Sequence, residues 1–389
     1  VDAQDLRGAA GAFLRIQLAE DFDEKRTVIK VVGVGGAGCN AINRMVEAGL
    51  AGVELLAANS DAQVLRKCQA HVNIQLGEQS ARGLGVGGDS AKGRAAALES
   101  EGQLREVLQG ADMVFVTTGM GGGTGTGGGP VVARLAKELG ALTVGIVTRP
   151  FDFEGLRRAS IAEQGIQEMR QSVDTLLVIP NQRLFDVIDA ETNHDQAFRV
   201  ADDVLRKSVQ SISDLITVPG LINLDMNDLR AVMKDAGEAL IGIGEASGPG
   251  RALSAAREAM SSPLLENVVI DGAKGLIVNI AGRQATLKTA EIEEIVATIQ
   301  GTASPEVNFK MGNVYNESLG DAIRVTVIAT GFPSKRSRTA FRPAGGRTTG
   351  LRPAPMAEEP SDAQLLKNLN ETDRWTKPAY LRMKVRKLR

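Results

Sequence analysis

Residues 119–129 read Gly119-Met120-Gly121-Gly122-Gly123-Thr124-Gly125-Thr126-Gly127-Gly128-Gly129, a glycine-dense stretch between an apolar run and a helical pattern. Residues 111–116 (ADMVFV) before it predict a core strand. After it, Pro130, at a first helical position, opens the periodic segment 131–139. Glycines remove the side chains that hold a ligand away, so successive backbone N–H groups can line an anion nest at a helix N-terminus. Strand, glycine loop and helix in that order predict a phosphate cradle. It is not a P-loop, because no lysine follows the last glycine. A flexible linker is the alternative, but a linker does not sit flush between a buried strand and a proline-started helix.

Working toward the N-terminus, residues 28–32 form a β-branched run that ends in Gly33-Val34-Gly35-Gly36-Ala37-Gly38, followed by helix-spaced Ile42, Met45 and Val46. This satisfies GxGxxG, and Glu54 stands near the place of a ribose-binding acid, so an NAD-binding oxidoreductase is a rival reading. Against it, two glycine cradles at one sheet edge suit a single mononucleotide with several phosphates. Between them Glu54–Asn59 is strand-like and leads into Ser60 and Asp61; taken alone, Asn59 and Asp61 read as a helix cap.

A length of 389 residues holds two ordinary domains, and no apolar run approaches the ~20 residues of a membrane span, so a soluble protein is expected. Residues 1–26 lack a cleavage-site pattern, which argues against a signal peptide. Two cysteines, Cys39 and Cys68, fit a reducing cytoplasm better than a disulfide framework. His71 and His194 stand near neither a cysteine pair nor a serine motif, leaving a zinc site or Ser-His triad without support. Residues 333–389 hold 14 Lys and Arg against 5 Asp and Glu, leaving 31 against 42 for residues 1–332. An acidic body with a basic tail suggests an acidic partner or anionic lipid for the tail.

GGGTGTG at 121–127 resembles the signature of the tubulin/FtsZ family of GTPases, and further matches recur from about Ile29 to Phe332. The resemblance implies an α/β fold: a Rossmann-like GTPase domain joined by a long central helix to an α+β C-terminal domain, with a disordered C-terminal tail. It assigns nucleotide contacts to Gly35, Gly36, Ala37, Gly38 and Asn40, to Asn59 and Asp61, and to Gly121, Gly122, Gly123, Thr124, Gly125 and Thr126. Gly85, Gly87 and Gly88 resemble the loop that closes over the γ-phosphate. Residues 148–158 are similar to the family's TKPFxFEGxxR, which gives Glu154 and Arg158 to sugar and phosphate; by spacing alone they make a helix ion pair of about 0.3–0.5 kcal/mol.

A strand is expected at Thr175–Pro180 and a helix from about Gln196 to Thr217, with its apolar face at Ala201, Val204, Leu205, Ser208, Ile212 and Leu215. On that helix Phe198 and Asp202 match the family's guanine-stacking and guanine-bonding positions. The chemistry suits guanine: a carboxylate accepts from N1–H and the 2-amino group, which adenine does not offer. Gly128 and Gly129 replace the family's usual two alanines, which implies a looser helix start.

Residues 219–230 resemble the family's NxDxxD loop through Asn223, Asp225 and Asp228, implying catalysis in the nucleotide site of a neighbouring subunit. Read locally, Asp225 caps a helix and Asp228 meets its dipole. A helix of ~20 residues spans about 30 Å, so this loop is expected opposite the phosphate turns, and the two half-sites meet only between subunits stacked head to tail. Residues 374–389 contain PAYLR, similar to the family's tail peptide, with Lys377 in place of the usual hydrophobic residue.

The expected organisation is an N-terminal extension (1–26), a GTP-binding domain (27–195), a central helix (196–218), a C-terminal domain (219–332), a disordered linker (333–372) and a basic tail (373–389). The resemblance further implies GTP/GDP and magnesium as cofactors, with potassium a further candidate. It implies filaments of this chain, membrane tethers and division regulators bound through 374–389, weak or indirect membrane contact, no nucleic acid, and a place at the midcell division site in the cytoplasm of a bacterium. A GTP-binding structural polymer with little turnover is the second rival.

Overall fold

The strands that lead into the glycine turns are runs of aliphatic residues buried along almost their whole length, as a parallel sheet covered by helices on both faces demands. The computed structural model describes residues 27–186, 193–265 and 272–332. The expected extension, linker and tail lie outside the described residues. In chain order the elements are β1 (Ile29–Val34), α1 (Gly35–Glu47), β2 (Glu54–Asn59), α2 (Ala62–Arg66), β3 (Val72–Gln75), α3 (Ser90–Glu99), α4 (Glu101–Leu108), β4 (Met113–Gly119), α5 (Thr124–Glu138) and β5 (Leu142–Arg149). There follow α6 (Leu156–Ser172), β6 (Thr175–Pro180), α7 (His194–Thr217), α8 (Met226–Met233), β7 (Gly237–Ser247), α9 (Arg251–Met260), β8 (Gly275–Gly282), α10 (Thr289–Gln300), β9 (Asn308–Tyr315) and β10 (Ala322–Thr330).

These strands form one sheet in the order β3-β2-β1-β4-β5-β6-β7-β10-β8-β9. From β3 to β6 every pairing is parallel. The chain builds outward one way from β1 and the other way from β4, so a crevice opens above these neighbours, where open α/β sheets take their ligands. The link to the second half is slender: β6 pairs with β7 only at Thr175–Gly237, Leu176–Glu238 and Leu177–Ala239. Beyond it, β7, β10 and β8 run antiparallel and carry α9 and α10.

The central helix packs as its periodicity predicts. Ala201, Leu205, Ser208, Ile212 and Leu215 are buried, with Val204 half-buried beside them. Its apolar face joins Ile42 and Met45 of α1 and Phe115 of β4 in one core, while Leu104, Val132, Ile166 and Met169 fill a second core.

Two expectations are corrected. Pro130 does not open the helix after the glycine stretch; α5 already begins at Thr124 and holds Pro130 in its interior. Nor do the glycines loosen this start, for Gly127, Gly128 and Gly129 are buried helical residues. Packing overrides propensity: a Cβ on Gly127 would stand 2.0 Å from the Ser90 carbonyl oxygen and 2.5 Å from the Arg94 nitrogen. Only a bare backbone lets α5 lie this close to α3. Strands β3 and β9 and helix α6 were absent from the sequence reading.

Candidate nucleotide site

All the candidate binding segments emerge from the C-terminal edge of the parallel sheet. Gly35 follows β1, Ser60 follows β2, the 119–123 turn follows β4, the Glu154 segment follows β5, and the start of α7 lies beyond β6. Register holds the two glycine turns side by side, because Val34 of β1 pairs with Thr118 of β4 and the Thr118 hydroxyl donates to the Val34 carbonyl at 2.9 Å. Contact between them is close. Gly35 has φ +72°, and a Cβ there would meet the Gly125 nitrogen at 2.8 Å. Neither α1 nor α5 has a side-chain N-cap or an acid in its first turn. Both therefore present the partial positive charge of a helix N-terminus to the crevice. A Cβ built on Gly36 or Gly122 meets nothing within 4 Å, so the space beside both turns is open to a ligand.

Not every named residue faces that space with its side chain. The Thr126 hydroxyl accepts from the Gly121 N–H at 2.9 Å, and Thr124 bonds Ser60 through their hydroxyls at 2.6 Å. These side chains brace the turn, leaving backbone groups to meet a ligand. Asp61 caps α2 by accepting from Gln63 and Val64, while Asn59 accepts from the Asp61 N–H at 3.2 Å. The third loop is tied to the same turn, since Gly85 N–H donates to the Ser60 carbonyl at 3.1 Å, and Gly87 and Gly88 are exposed beyond it. Asp89 caps α3. Glu154, its side chain 7% exposed, accepts from the Phe151 N–H and pairs with Arg158 at 3.0 Å. Arg158 lies against the central turn: a Cβ on Gly121 would meet its Cγ at 2.6 Å.

Phe198 and Asp202 line a cleft of about 240 Å³ with Asn40, Asn43, Arg44, Glu47, Asp195 and Arg199. Phe198 stands edge-on to Phe151, with centroids 5.4 Å apart, and Phe153 stacks on Phe151 at 5.0 Å. Asp202 is 8% exposed, and burial pushes its carboxyl up to about 7, with the charge of Arg44 opposing. The sequence reading missed Ser60 as a brace and the aromatic group around Phe198. In TRPFDFEG the two phenylalanines two residues apart were the available signal.

Asn223, Asp225 and Asp228 lie at the other edge. The Arg230 guanidinium donates to the carbonyl of Asp112, just before β4 begins, while the central turn follows where β4 ends. A seven-residue strand separates those points by about 23 Å. Asp225 and Asp228 form a reciprocal cap of α8, Asn223 accepts from the Gly220 N–H at 2.8 Å, and Lys310 pairs with Asp228 at 2.7 Å. Lys310 holds the Asp228 carboxyl below its usual range.

Glu54, the rival's ribose acid, pairs with Lys30 at 3.1 Å at the N-terminal start of β2, away from the crevice. Among the described residues, no group of three or more His, Cys, Asp or Glu is placed to hold a metal, and no helix is long and apolar enough to cross a membrane.

Paired glycine turns at a topological switch point, followed by a long helix and a second mixed half-sheet, are the arrangement of an α/β nucleotide-binding protein. Family models agree: "Tubulin/FtsZ family, GTPase domain" matches residues 28–189 and "FtsZ family, C-terminal domain" matches residues 237–333. An empty FtsZ dimer of M. jannaschii is similar at TM-score 0.78 and 41% identity, covering 86% of this chain and 97% of that one. A point mutant of FtsZ from M. jannaschii gives 0.77 and 42%, over 82% and 94%. The GTPγS-bound protofilament of CetZ2 from Haloferax volcanii shares the fold, with TM-score 0.67 and 20% identity over 80% and 96%. The chain belongs to the FtsZ family, a family of GTP-binding GTPases.

Proposed function

We propose that this chain binds GTP at the C-terminal edge of its sheet and hydrolyses it when the Asn223–Asp225–Asp228 loop of a second copy closes over the phosphates, in a head-to-tail filament that serves cell division. The observation that carries the reading is the separation of the two half-sites across one sheet. In this proposal the first turns of α1 and α5 bind the phosphates through backbone N–H groups of Gly35–Gly38 and Gly122–Thr126, while Gly121, its N–H held by Thr126, shapes the turn. Gly85, Gly87 and Gly88 cover the terminal phosphate, and Glu154 and Arg158 hold the sugar side. Phe198 stacks on the base and ionised Asp202 accepts from guanine N1–H and the 2-amino group. Magnesium, bound together with the nucleotide, would neutralise phosphate charge.

Because Lys310 lowers the proton affinity of Asp228, this carboxylate suits orienting an attacking water better than removing its proton outright. Exposed apolar side chains at both edges suit the same stacking: Leu84 and Leu156 on one, Leu221 and Ile222 on the other. Potassium as the monovalent ion, midcell localisation in the cytoplasm, and attachment of tethers and regulators through 374–389 belong to the same proposal.

The experiment mixes two variants. Asp228→Ala keeps the nucleotide edge and lacks the loop acid; Asp202→Ala keeps the loop and lacks a good guanine site. Each alone is expected to turn over poorly, while the mixture restores one working interface and exceeds the sum of its parts. Co-sedimentation confirms that both enter filaments. Co-assembly without recovered phosphate release, or full turnover by monomeric wild type, rules out the shared site.

A further inference from the structure

Beside the candidate nucleotide site lies a pair of sulfurs that the proposed reaction does not use. Cys39 stands on α1 between Gly38 and Asn40, and Cys68 follows α2 two residues after its last turn. Both are free thiols, 1% and 7% exposed. The Cys68 thiol donates to the Cys39 carbonyl oxygen at 3.7 Å, which sets the two residues side by side.

The backbone holds them in this position from both sides. Asn43, one helical turn beyond Cys39, accepts from the Gln69 N–H at 2.8 Å and donates to the Lys67 carbonyl at 3.5 Å. It thereby clips the residues flanking Cys68 onto α1. The Asn73 side chain adds a bond to the Cys68 carbonyl at 3.3 Å. Two thiols fixed this way need little backbone movement to meet the geometry of a disulfide.

We propose that Cys39 and Cys68 form a thiol–disulfide switch, in which two-electron oxidation by a hydroperoxide joins them and weakens nucleotide binding at the adjacent turn. The second half of that statement rests on reading this edge as the GTP site.

The chemistry divides naturally between the sulfurs. Beside Cys39 and the backbone of Ala70 and Gln69 the Cys68 thiol is held below its usual range in spite of its burial, whereas the neighbouring Cys68 and burial push Cys39 up. Cys68 thiolate is thus the attacking group. Its sulfur displaces hydroxide from hydrogen peroxide and becomes a sulfenic acid. The Cys39 sulfur then attacks it, the S–S bond forms, the S–O bond breaks, and the thiol proton leaves with hydroxide as water. In total two thiols and one peroxide give one disulfide and two waters. The Asn59 amide now donates to the Cys39 sulfur at 3.7 Å. Drawing that sulfur toward Cys68 removes this tether from Asn59 and shifts the first turns of α1, where Gly38 and Asn40 lie.

The test exposes full-length protein to hydrogen peroxide and follows two readouts. Thiols titrated after denaturation should fall from two to none with a mass loss of about 2 Da, and peptide mapping should join 39 to 68; dithiothreitol reverses all three. Fluorescent GTP should bind at least about tenfold more weakly to the oxidised form. Cys68→Ser, or Cys68→Ala should the first fold poorly, is expected to keep the reduced protein's affinity after peroxide. Two thiols persisting in folded protein, independent oxidation without a crosslink, or a crosslink with unchanged affinity would each overturn the switch. Failure of the reduced protein to bind GTP would instead sink the nucleotide-site reading, while the thiol count and crosslink still judge the pair.

Discussion

The two edges of the parallel sheet are built on opposite plans. At the C-terminal edge, α1 and α5 begin without side-chain caps, and Gly36 and Gly122 border open space. At the N-terminal edge, Asp225 and Asp228 cap each other's backbone, Asn223 holds Gly220, and Lys310 neutralises Asp228. The first edge leaves donors unspent and the second satisfies its own charges. An anion therefore gains most at the first, whereas the acids of the second are held rigid by one another and by Lys310. Under the proposed function, one subunit then carries both halves of a site without carrying a whole one.

The largest effect that tests this contrast belongs to Asp202. Removing a buried partner of a hydrogen-bonding base discriminates by as much as ~10⁴-fold, so Asp202→Ala should lose most of the preference for GTP over ATP in competition binding. A folded variant that keeps its preference breaks the assignment.

Next comes Gly122→Asp, which places a carboxylate in open space and should fold. Two like charges about 4 Å apart near a surface repel by about 4 kcal/mol, so titration calorimetry should show roughly a thousand-fold weaker GTP binding. Unchanged affinity would mean that phosphate lies elsewhere.

The pH dependence sharpens the same edge. Burial raises the Asp202 carboxyl from its ordinary 3.8 to about 7 in the nucleotide-free protein. Below pH 7 the group is protonated and cannot accept from guanine N1–H, so GTP affinity should fall about tenfold per unit under pH 7 and level off above about 8. Stability of the empty protein runs the other way. A carboxyl whose folded value is raised contributes stability that is complete below about 4 and lost as pH rises through 7. Asp202→Ala should flatten the binding profile and make the thermal-unfolding profile shallower, leaving the part due to Asp214, whose carboxyl burial raises to about 6.

The smallest effects belong to the closed edge. Asp225→Ala removes a helix cap and should cost about 1 kcal/mol in urea unfolding, and Lys310→Met less than about 1 kcal/mol, since this pair is partly exposed. Neither should change GTP affinity measured on dilute subunits. Loss of affinity in either would join the two edges and dissolve the contrast.

Local chemistry made much of this legible. The strands Glu54–Asn59 and Thr175–Pro180 and the helix that ends at Thr217 lie where apolar patterning put them, because buried β-branched runs and amphipathic stripes are local signals. Strand β9, NFKMGNVY, escaped notice because its alternation of Phe309 and Met311 with Asn308 and Lys310 breaks at Gly312-Asn313; its pairing with β8 makes it a strand. Pro130 misled for a related reason. A proline reads as a helix start in isolation, but contact between α5 and α3 begins the helix at Thr124.

By itself the sequence determined which segments are glycine turns, which are buried strands, and which acids stand at helix starts, since these follow from backbone freedom, side-chain size and spacing along the chain. Tertiary structure alone decided which edge each one occupies and whether its polar groups are spent. Glu54 is the plainest case. Its spacing suited a ribose ligand, yet register across β1 and β2 pairs it with Lys30 at the far edge of the sheet. Hydrogen-bond partners come from residues distant in sequence, so the same aspartate or glycine becomes a free ligand contact or a structural brace only once the strands are in register.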